Sequence, residues 1–292
     1  MHFLSVVWDP SIGIDLGFFT IRWYSLMFVA AFLLGLYLMK KIFINDNIDV
    51  KQLDLIFMYT FFPMLIGMRL GEVFFYNWDH YKDHWLEIIL PFRERAGETT
   101  LFGLIDGWEF VGYTGFASHG AAIAIILGMY FYNKKHLKKS MLYILDRLVI
   151  VVALGGAFVR LGNFFNSEIY GKETGSNFGV IFRAAKETVP RHPTQLYEAF
   201  SYLILFFILW RIYWKTDKKH HIGFIFGIFM IALWSLRFVI EFLKEAQVDG
   251  REDWVFNSLN TGQVLSIPLV MVGLWLVLRK KKKLTSYELQ SL

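Results

Sequence analysis

Seven apolar stretches, 18–39, 54–76, 116–133, 142–165, 195–214, 221–243 and 261–278, dominate the chain. Each comes close to the roughly 20 mostly apolar residues that a helix needs to cross the hydrocarbon core of a bilayer. A backbone in hydrocarbon has to satisfy its own hydrogen bonds, so stretches of this kind fold as helices. The expected class is therefore all-α: a polytopic integral membrane protein with about seven transmembrane helices. Composition agrees, since 55% of residues are hydrophobic and 19% are charged, where soluble domains carry about 25% charged residues. Residues 1–17 contain no Lys or Arg and are interrupted by Asp9-Pro10. They lack the basic segment and unbroken apolar core of a cleavable signal peptide, so the N-terminus is expected to be retained.

Orientation follows from Lys and Arg in alternate connections. The connections 40–53, 134–141, 215–220 and 279–292 hold 15 basic residues in 42 positions, whereas 1–17, 77–115, 166–194 and 244–260 hold 9 in 102. The first set is expected in the cytoplasm, which puts the N-terminus outside and the C-terminus inside. The basic tail 279–292 opens with Arg279-Lys280-Lys281-Lys282-Lys283. It reads as an anchor beside anionic membrane lipid, and no nucleic-acid partner is expected. The chain reads as a single transmembrane domain over 1–292, with 77–115 and 166–194 as outer-face connections. The former carries Trp78, Trp85 and Trp108 and suits an ordered piece at the membrane interface.

Ionisable residues inside spans are costly and mark function by default. Arg22, Arg69 with Glu72, His119, Arg160 with Asn163, Glu198, and Arg237 with Glu241 all fall toward the expected outer half. Asp146, Arg147, Arg211 and His221 fall at the other end, most of them close enough to water to snorkel. Arg69 and Glu72, Arg160 and Asn163, and Arg237 and Glu241 are three or four apart, so each pair shares a helix face. The two Arg–Glu pairs read either as local ion pairs or as parts of one outward-opening cavity. An excess of guanidinium groups suits an anionic ligand, and phosphate oxygens accept their planar fork of donors. A phosphate ligand reached from within a bilayer suggests a phospholipid head group.

Three further segments carry polar chemistry. Arg160-Leu161-Gly162-Asn163-Phe164-Phe165-Asn166-Ser167-Glu168-Ile169-Tyr170-Gly171 leaves the membrane at its outer face. Its asparagines can hold ligand oxygens or cap the helix end. Arg191-His192-Pro193-Thr194-Gln195-Leu196-Tyr197-Glu198 leads into the fifth span, with Pro193 suited to a first helical turn. Ser118-His119-Gly120 opens the third, where His119 reads as a packing residue or a general base. The chain has no cysteine, which excludes a disulfide framework and a catalytic thiol of its own. Neither a cofactor nor a metal is expected.

In their order and spacing these pieces resemble the bacterial phosphatidylglycerol–prolipoprotein diacylglyceryl transferase family over nearly the whole length. The matching residues are Arg22-Trp23-Tyr24, Gly67-Met68-Arg69-Leu70-Gly71 with Phe75-Tyr76-Asn77, Ser118-His119-Gly120 and the stretch from Arg160 to Gly171. They continue through His192 to Glu198, Arg237 to Phe242, and Gly262-Gln263-Val264-Leu265-Ser266-Ile267-Pro268. The resemblance implies transfer of the diacylglyceryl group of phosphatidylglycerol to the lipobox cysteine of a prolipoprotein signal peptide. A thioether forms, glycerol phosphate leaves, and the reactive sulfur belongs to the substrate. It implies a bacterial cytoplasmic (inner) membrane protein with its active site toward the outer leaflet. Tyr24, His119, Arg160 and Arg237 fall on the catalytic positions. Asn163, Asn166, Glu168, Arg69, His192, Tyr197, Glu198 and Glu241 are the expected substrate-binding residues. The sequence departs from the pattern at Val159, at Leu233 next to Trp234, and at Lys244-Glu245-Ala246-Gln247. The competing classes are a transporter of organic anions, which predicts repeat symmetry, and a retinal-type receptor, which needs a lysine in the last span. The chain shows neither feature.

Overall fold

The structure, a computed structural model, describes residues 4–17, 20–75, 77–90, 92–100, 105–110, 118–244, 259 and 261–279. In chain order the elements are β1 (Leu4–Trp8), β2 (Gly13–Asp15), β3 (Thr20–Arg22), α1 (Trp23–Asn45), α2 (Gln52–Phe75), α3 (Trp78–Tyr81), α4 (Trp85–Ile89), β4 (Phe92–Thr100) and β5 (Ile105–Phe110). They continue with α5 (Ser118–Tyr132), α6 (Met141–Phe165), β6 (Phe178–Phe182), α7 (Thr194–Lys215), α8 (Phe224–Ile240) and α9 (Thr261–Leu278). The chain is mostly helical, but the all-α expectation needs correction. Pairings β1–β6, β2–β3 and β4–β5 form two-stranded sheets, in the connections except for β3, which takes the first residues of the stretch 18–39 ahead of α1. Short strands outside the hydrocarbon can leave their edges to water, which strands inside it cannot.

Trp23–Asn45, Gln52–Phe74, Met141–Phe165 and Thr194–Lys215 are long and apolar enough to cross a membrane, and Phe224–Ile240 and Gly262–Leu278 are shorter apolar helices. Their large apolar side chains are not all turned inward: Leu33 is 63%, Phe200 66% and Trp275 62% exposed. A soluble helix would hide that surface, whereas hydrocarbon solvates it.

Contacts gather into two compact units, Met1–Asp46 with Leu142–Leu292, and Asn47–Met141. In the first, β1 lies parallel to β6 from Leu4↔Phe178 to Trp8↔Phe182. The Trp8 indole N–H donates to the Phe164 carbonyl at 3.0 Å, fixing the first strand to the end of α6. At the start of α6, Arg147 Nε meets Asp46 Oδ2 at 2.7 Å, and the hydroxyls of Tyr143 and Tyr213 donate to the same carboxylate at 2.9 and 2.6 Å. Asp146 accepts the backbone N–H groups of Gly223 and Phe226 at 2.6 and 2.8 Å, so it caps the first turn of α8. Snorkelling was expected of Asp146 and Arg147, yet both are buried. Their charges are met locally by the α8 amide dipoles and by Asp46, which makes burial tolerable without water.

In the second unit α2 packs along α5. A Cβ on Gly67 would collide with Ala124 and the Gly120 carbonyl, and one on Gly120 would collide with the Gly67 carbonyl. Small residues spaced four apart let the two backbones touch, the usual means of close packing where no hydrophobic drive operates between helices. The connection that follows α2 is held by Arg69. Its Nε donates to the Ile88 carbonyl at 3.2 Å, Nη1 donates to the Tyr81 hydroxyl at 3.1 Å, and Nη2 donates to the Glu87 carbonyl. Glu87 is itself buried, with His80 Nε2 at 2.8 Å and the Glu94 N–H at 3.1 Å.

Candidate active site

α6 ends in a tight reversal whose backbone enters the left-handed region at Ser167 (φ 54°) and Ile169 (φ 59°). The reversal turns Glu168 back over the helix end. Its Oε1 accepts the Asn163 amide at 2.8 Å and the Asn166 amide at 3.4 Å. Asn163 Oδ1, oriented by that bond, accepts Arg160 Nη1 at 3.0 Å. Both asparagines thus work first on each other's surroundings, and the helix end and the site are built by the same residues.

The turn is fastened to α7. Gln195 Nε2 donates to the Glu168 carbonyl at 2.7 Å and the Thr194 hydroxyl donates to the Ile169 carbonyl at 3.1 Å. Pro193 sits just outside the first turn of α7 rather than within it. Gly171 is the crossing point: its N–H donates to the His192 carbonyl at 2.8 Å, and a Cβ there would collide with the Leu243 carbonyl. Only glycine lets three segments meet this closely. Lys172 N–H then donates to the Leu243 carbonyl at 2.8 Å, which carries the exit of α8 into the same place.

One turn into α7 lies Glu198, wholly buried, whose two oxygens are shared between two cations. Arg160 Nε approaches Oε2 at 2.7 Å and Lys244 Nζ donates to Oε1 at 2.9 Å. The Arg160 side chain keeps 17% of its surface exposed while Glu198 keeps none. The carboxylate therefore stands behind the guanidinium, which keeps an exposed edge. Burial pushes the Lys244 ammonium below the ordinary lysine range, with Glu198 opposing and the nearby Arg160 charge adding to the fall. Glu198 thus offsets one of the two cations, with Glu241 also within electrostatic reach of Lys244 and Glu168 joined to Arg160 through Asn163.

Two more groups border this cluster. Tyr24, one residue into α1, lies across Gly162, where an added Cβ would stand 2.7 Å from the ring. There the tyrosine feels the charges of Glu168 and Arg160. Arg237 on α8 stacks against Trp234 at 5.9 Å and has no ion-pair partner among the described residues. Tyr202, buried one turn after Glu198, is within electrostatic reach of both Arg160 and Arg237. Of the two readings of Arg237 and Glu241, the local ion pair does not form among the described residues. Glu241 instead packs against Gly262 at the start of α9, with Oε2 buried and without a hydrogen-bond partner among the described residues. Tertiary packing wins over the four-residue spacing because α9 brings backbone to that carboxylate.

Of the sequence-predicted residues, Tyr24, Arg160, Asn163, Asn166, Glu168 and Glu198 are brought together, with Arg237 near the end of α8 and Glu241 just past it beside them. His192 Nδ1 lies 3.3 Å from the Tyr197 hydroxyl, a pair at the start of α7. Arg69 belongs to the other compact unit, where it donates to the backbone of its own connection. His119 is the second residue of α5, and its side chain lies outside the described residues. Sequence reasoning missed Lys244 and Tyr202. Lys244 stands three residues after Glu241, the spacing of a shared helix face, and that signal was open to reading. Tyr202 follows Glu198 by four but resembles any aromatic residue of a span.

The profile of the family described as Prolipoprotein diacylglyceryl transferase matches residues 11–279. Among curated proteins, the phosphatidylglycerol–prolipoprotein diacylglyceryl transferase of Bacteroides fragilis is 36% identical over 281 residues, covering 96% of this chain and 97% of its own. The enzyme of that name from Chloroherpeton thalassium is 37% identical, covering 95% of each chain. That from Porphyromonas gingivalis is 34% identical, covering 96% of this chain and 95% of its own. The motifs at Arg160–Gly171 and His192–Glu198 are thus part of a likeness that runs the length of the molecule, and the chain belongs to the prolipoprotein diacylglyceryl transferase family.

Proposed function

We propose that the chain transfers the diacylglyceryl group of phosphatidylglycerol to the lipobox cysteine thiol of prolipoproteins, the first step of bacterial lipoprotein maturation. The observation that carries the reading at the level of the site is the pair of arginines. Arg160 is braced from behind by Glu198 and Asn163, and Arg237 rests on Trp234 with no anionic partner among the described residues. Guanidinium groups held in this way are ready for the oxygens of a phosphodiester.

The chemistry fits such a site. The substrate sulfur attacks the glyceryl carbon that bears the phosphate, an S–C bond forms, and the C–O bond breaks. The oxygen and its electron pair leave with glycerol phosphate, and the thiol proton passes to a base. Negative charge grows on the leaving phosphate, so donors fixed there in advance stabilise the transition state more than the substrate. Arg160 and Arg237 take that role. Asn163, oriented by Glu168, positions the head group, and Tyr24 and Asn166 flank it. His192, Tyr197 and Glu241 line the approach. His119 is the base for a thiol whose ordinary pKa of about 8.5 needs little lowering. Arg69 holds the connection after α2 in shape for the lipid.

The seven apolar helices form seven spans, with the N-terminus outside, the C-terminus in the cytoplasm and the site opening to the outer leaflet of the cytoplasmic membrane. The balance of Lys and Arg between connections supports this orientation. The test is release of glycerol phosphate from phosphatidylglycerol liposomes containing the protein. Release should depend on a lipobox peptide and vanish when the peptide cysteine is replaced by serine. Release without peptide would make the protein a lipid hydrolase instead. A His119→Gln variant whose rate is unchanged across neutral pH would remove the base role.

A further inference from the structure

The seam between α2 and α5 forms the floor of an open groove of about 900 Å³. Its walls are Ile66, Leu70, Leu127 and Phe131, all large, apolar and exposed. Gly128 lies on the floor, where a Cβ would collide with the Tyr59 carbonyl, so the backbones themselves close the bottom. From Tyr59 to Leu70 the groove follows about 17 Å of helix, roughly half of a 30 Å hydrocarbon core. That is the depth of one leaflet.

The end near Tyr59 is polar. Lys134 and Lys135 line it, both are exposed, and neither makes an ion pair among the described residues. The Tyr59 hydroxyl lies 3.4 Å from His136 Nε2. The lysines stand on a π-helical turn, Asn133–Leu137, that continues α5. Asn133 pins this turn, donating to the Lys139 carbonyl and accepting the Lys139 N–H at 3.1 Å. A wide turn held by its own side chain places two exposed lysines at the mouth of an apolar trough, with Lys134 Nζ 5.8 Å from the Tyr130 ring. Such turns recur at functional sites.

We propose that this groove binds an anionic phospholipid of the leaflet beside Lys134, with an acyl chain along the Gly67–Gly128 seam and the phosphate at Lys134 and Lys135. A partner helix is the poorer occupant. It would need the full thickness of the bilayer, where the groove offers one leaflet, and it would leave two lysines unanswered. Under the orientation given above this is the cytoplasmic leaflet, which is rich in anionic lipid. The inference rests on that reading only for the choice of leaflet.

Because the chain has no cysteine, Ile66→Cys offers a single attachment point for a bimane fluorophore on the intact protein in proteoliposomes. Phosphatidylserine with brominated acyl chains, diluted into phosphatidylcholine, should quench it at a mole fraction roughly tenfold lower than brominated phosphatidylcholine does, as expected for two lysines near the head group. Lys134→Gln with Lys135→Gln should bring the two curves together while transfer activity stays normal, which also shows that the variant is folded. Equal quenching by both lipids, or a preference that survives the double substitution, would overturn the site. Loss of transfer activity in the unsubstituted protein, with the lipid preference intact, would count against the enzymatic reading alone.

Discussion

At the scale of the residue, the site turns on how one buried carboxylate is divided. Glu198 holds Arg160 through one oxygen and Lys244 through the other. Removing its charge leaves two cations in a place poor in water, and breaking a buried pair in this manner costs about 3–5 kcal/mol. Glu198→Gln should therefore lower the thermal midpoint in detergent as well as activity, and an unchanged midpoint would show that solvent reaches the pair. Arg237 presents the opposite case, since no described anion depends on it. Arg237→Lys should leave the midpoint within about 0.5 kcal/mol of the original while lowering kcat/KM about 100-fold or more, because an ammonium cannot reproduce the planar fork. The two variants separate holding the site together from acting in it. Arg160, Asn163 and Glu198 were legible in the sequence because charge and amide groups inside apolar runs have few structural excuses. Their pairing was not. Four-residue spacing joined Arg237 to Glu241, while the fold sends Glu241 to Gly262 and brings Lys244 in from beyond the span. Spacing reports neighbours on one helix and is silent about the helix that packs against it.

At the scale of the element, the apolar helices could be read directly and the strands could not. β1 pairs with β6 across more than 170 positions of sequence, and no local pattern announces a partner so far away. The capping role of Asp146 escaped the sequence for the same reason, since the helix it caps begins at Phe224. The α2–α5 contact gives a direct test. Gly67→Ala puts a Cβ into Ala124 and the Gly120 carbonyl, and should destabilise the pair by about 1–3 kcal/mol, read as a lower thermal midpoint. A midpoint that does not move would mean that the helices separate freely. The connection after α2 should respond to acid. Burial raises the Glu87 carboxyl, but the His80 hydrogen bond, the Glu94 N–H and the two imidazoles outweigh it and hold the group below the usual carboxylate range. A lowered folded value means that its stabilisation is complete above that range and is lost as pH falls through it. The gap in midpoint between the unsubstituted protein and Glu87→Gln should therefore narrow on going from about pH 6 to about pH 3. A constant gap would deny the coupling.

At the scale of the whole molecule, an absence in the sequence and an excess in the structure complement each other. The chain carries no thiol, and its site holds the Arg160 guanidinium against the buried Glu198, with Arg237 resting on Trp234. A reaction that needs a sulfur nucleophile and expels a phosphate is divided between two partners, the preprotein bringing the sulfur and this chain receiving the phosphate. Mass spectrometry of a lipobox peptide incubated with the protein in phosphatidylglycerol liposomes tests that division most directly. The cysteine should gain the mass of one diacylglyceryl group in thioether linkage, and should gain none when phosphatidylcholine replaces phosphatidylglycerol. A folded, membrane-inserted protein that leaves the peptide mass unchanged would contradict it.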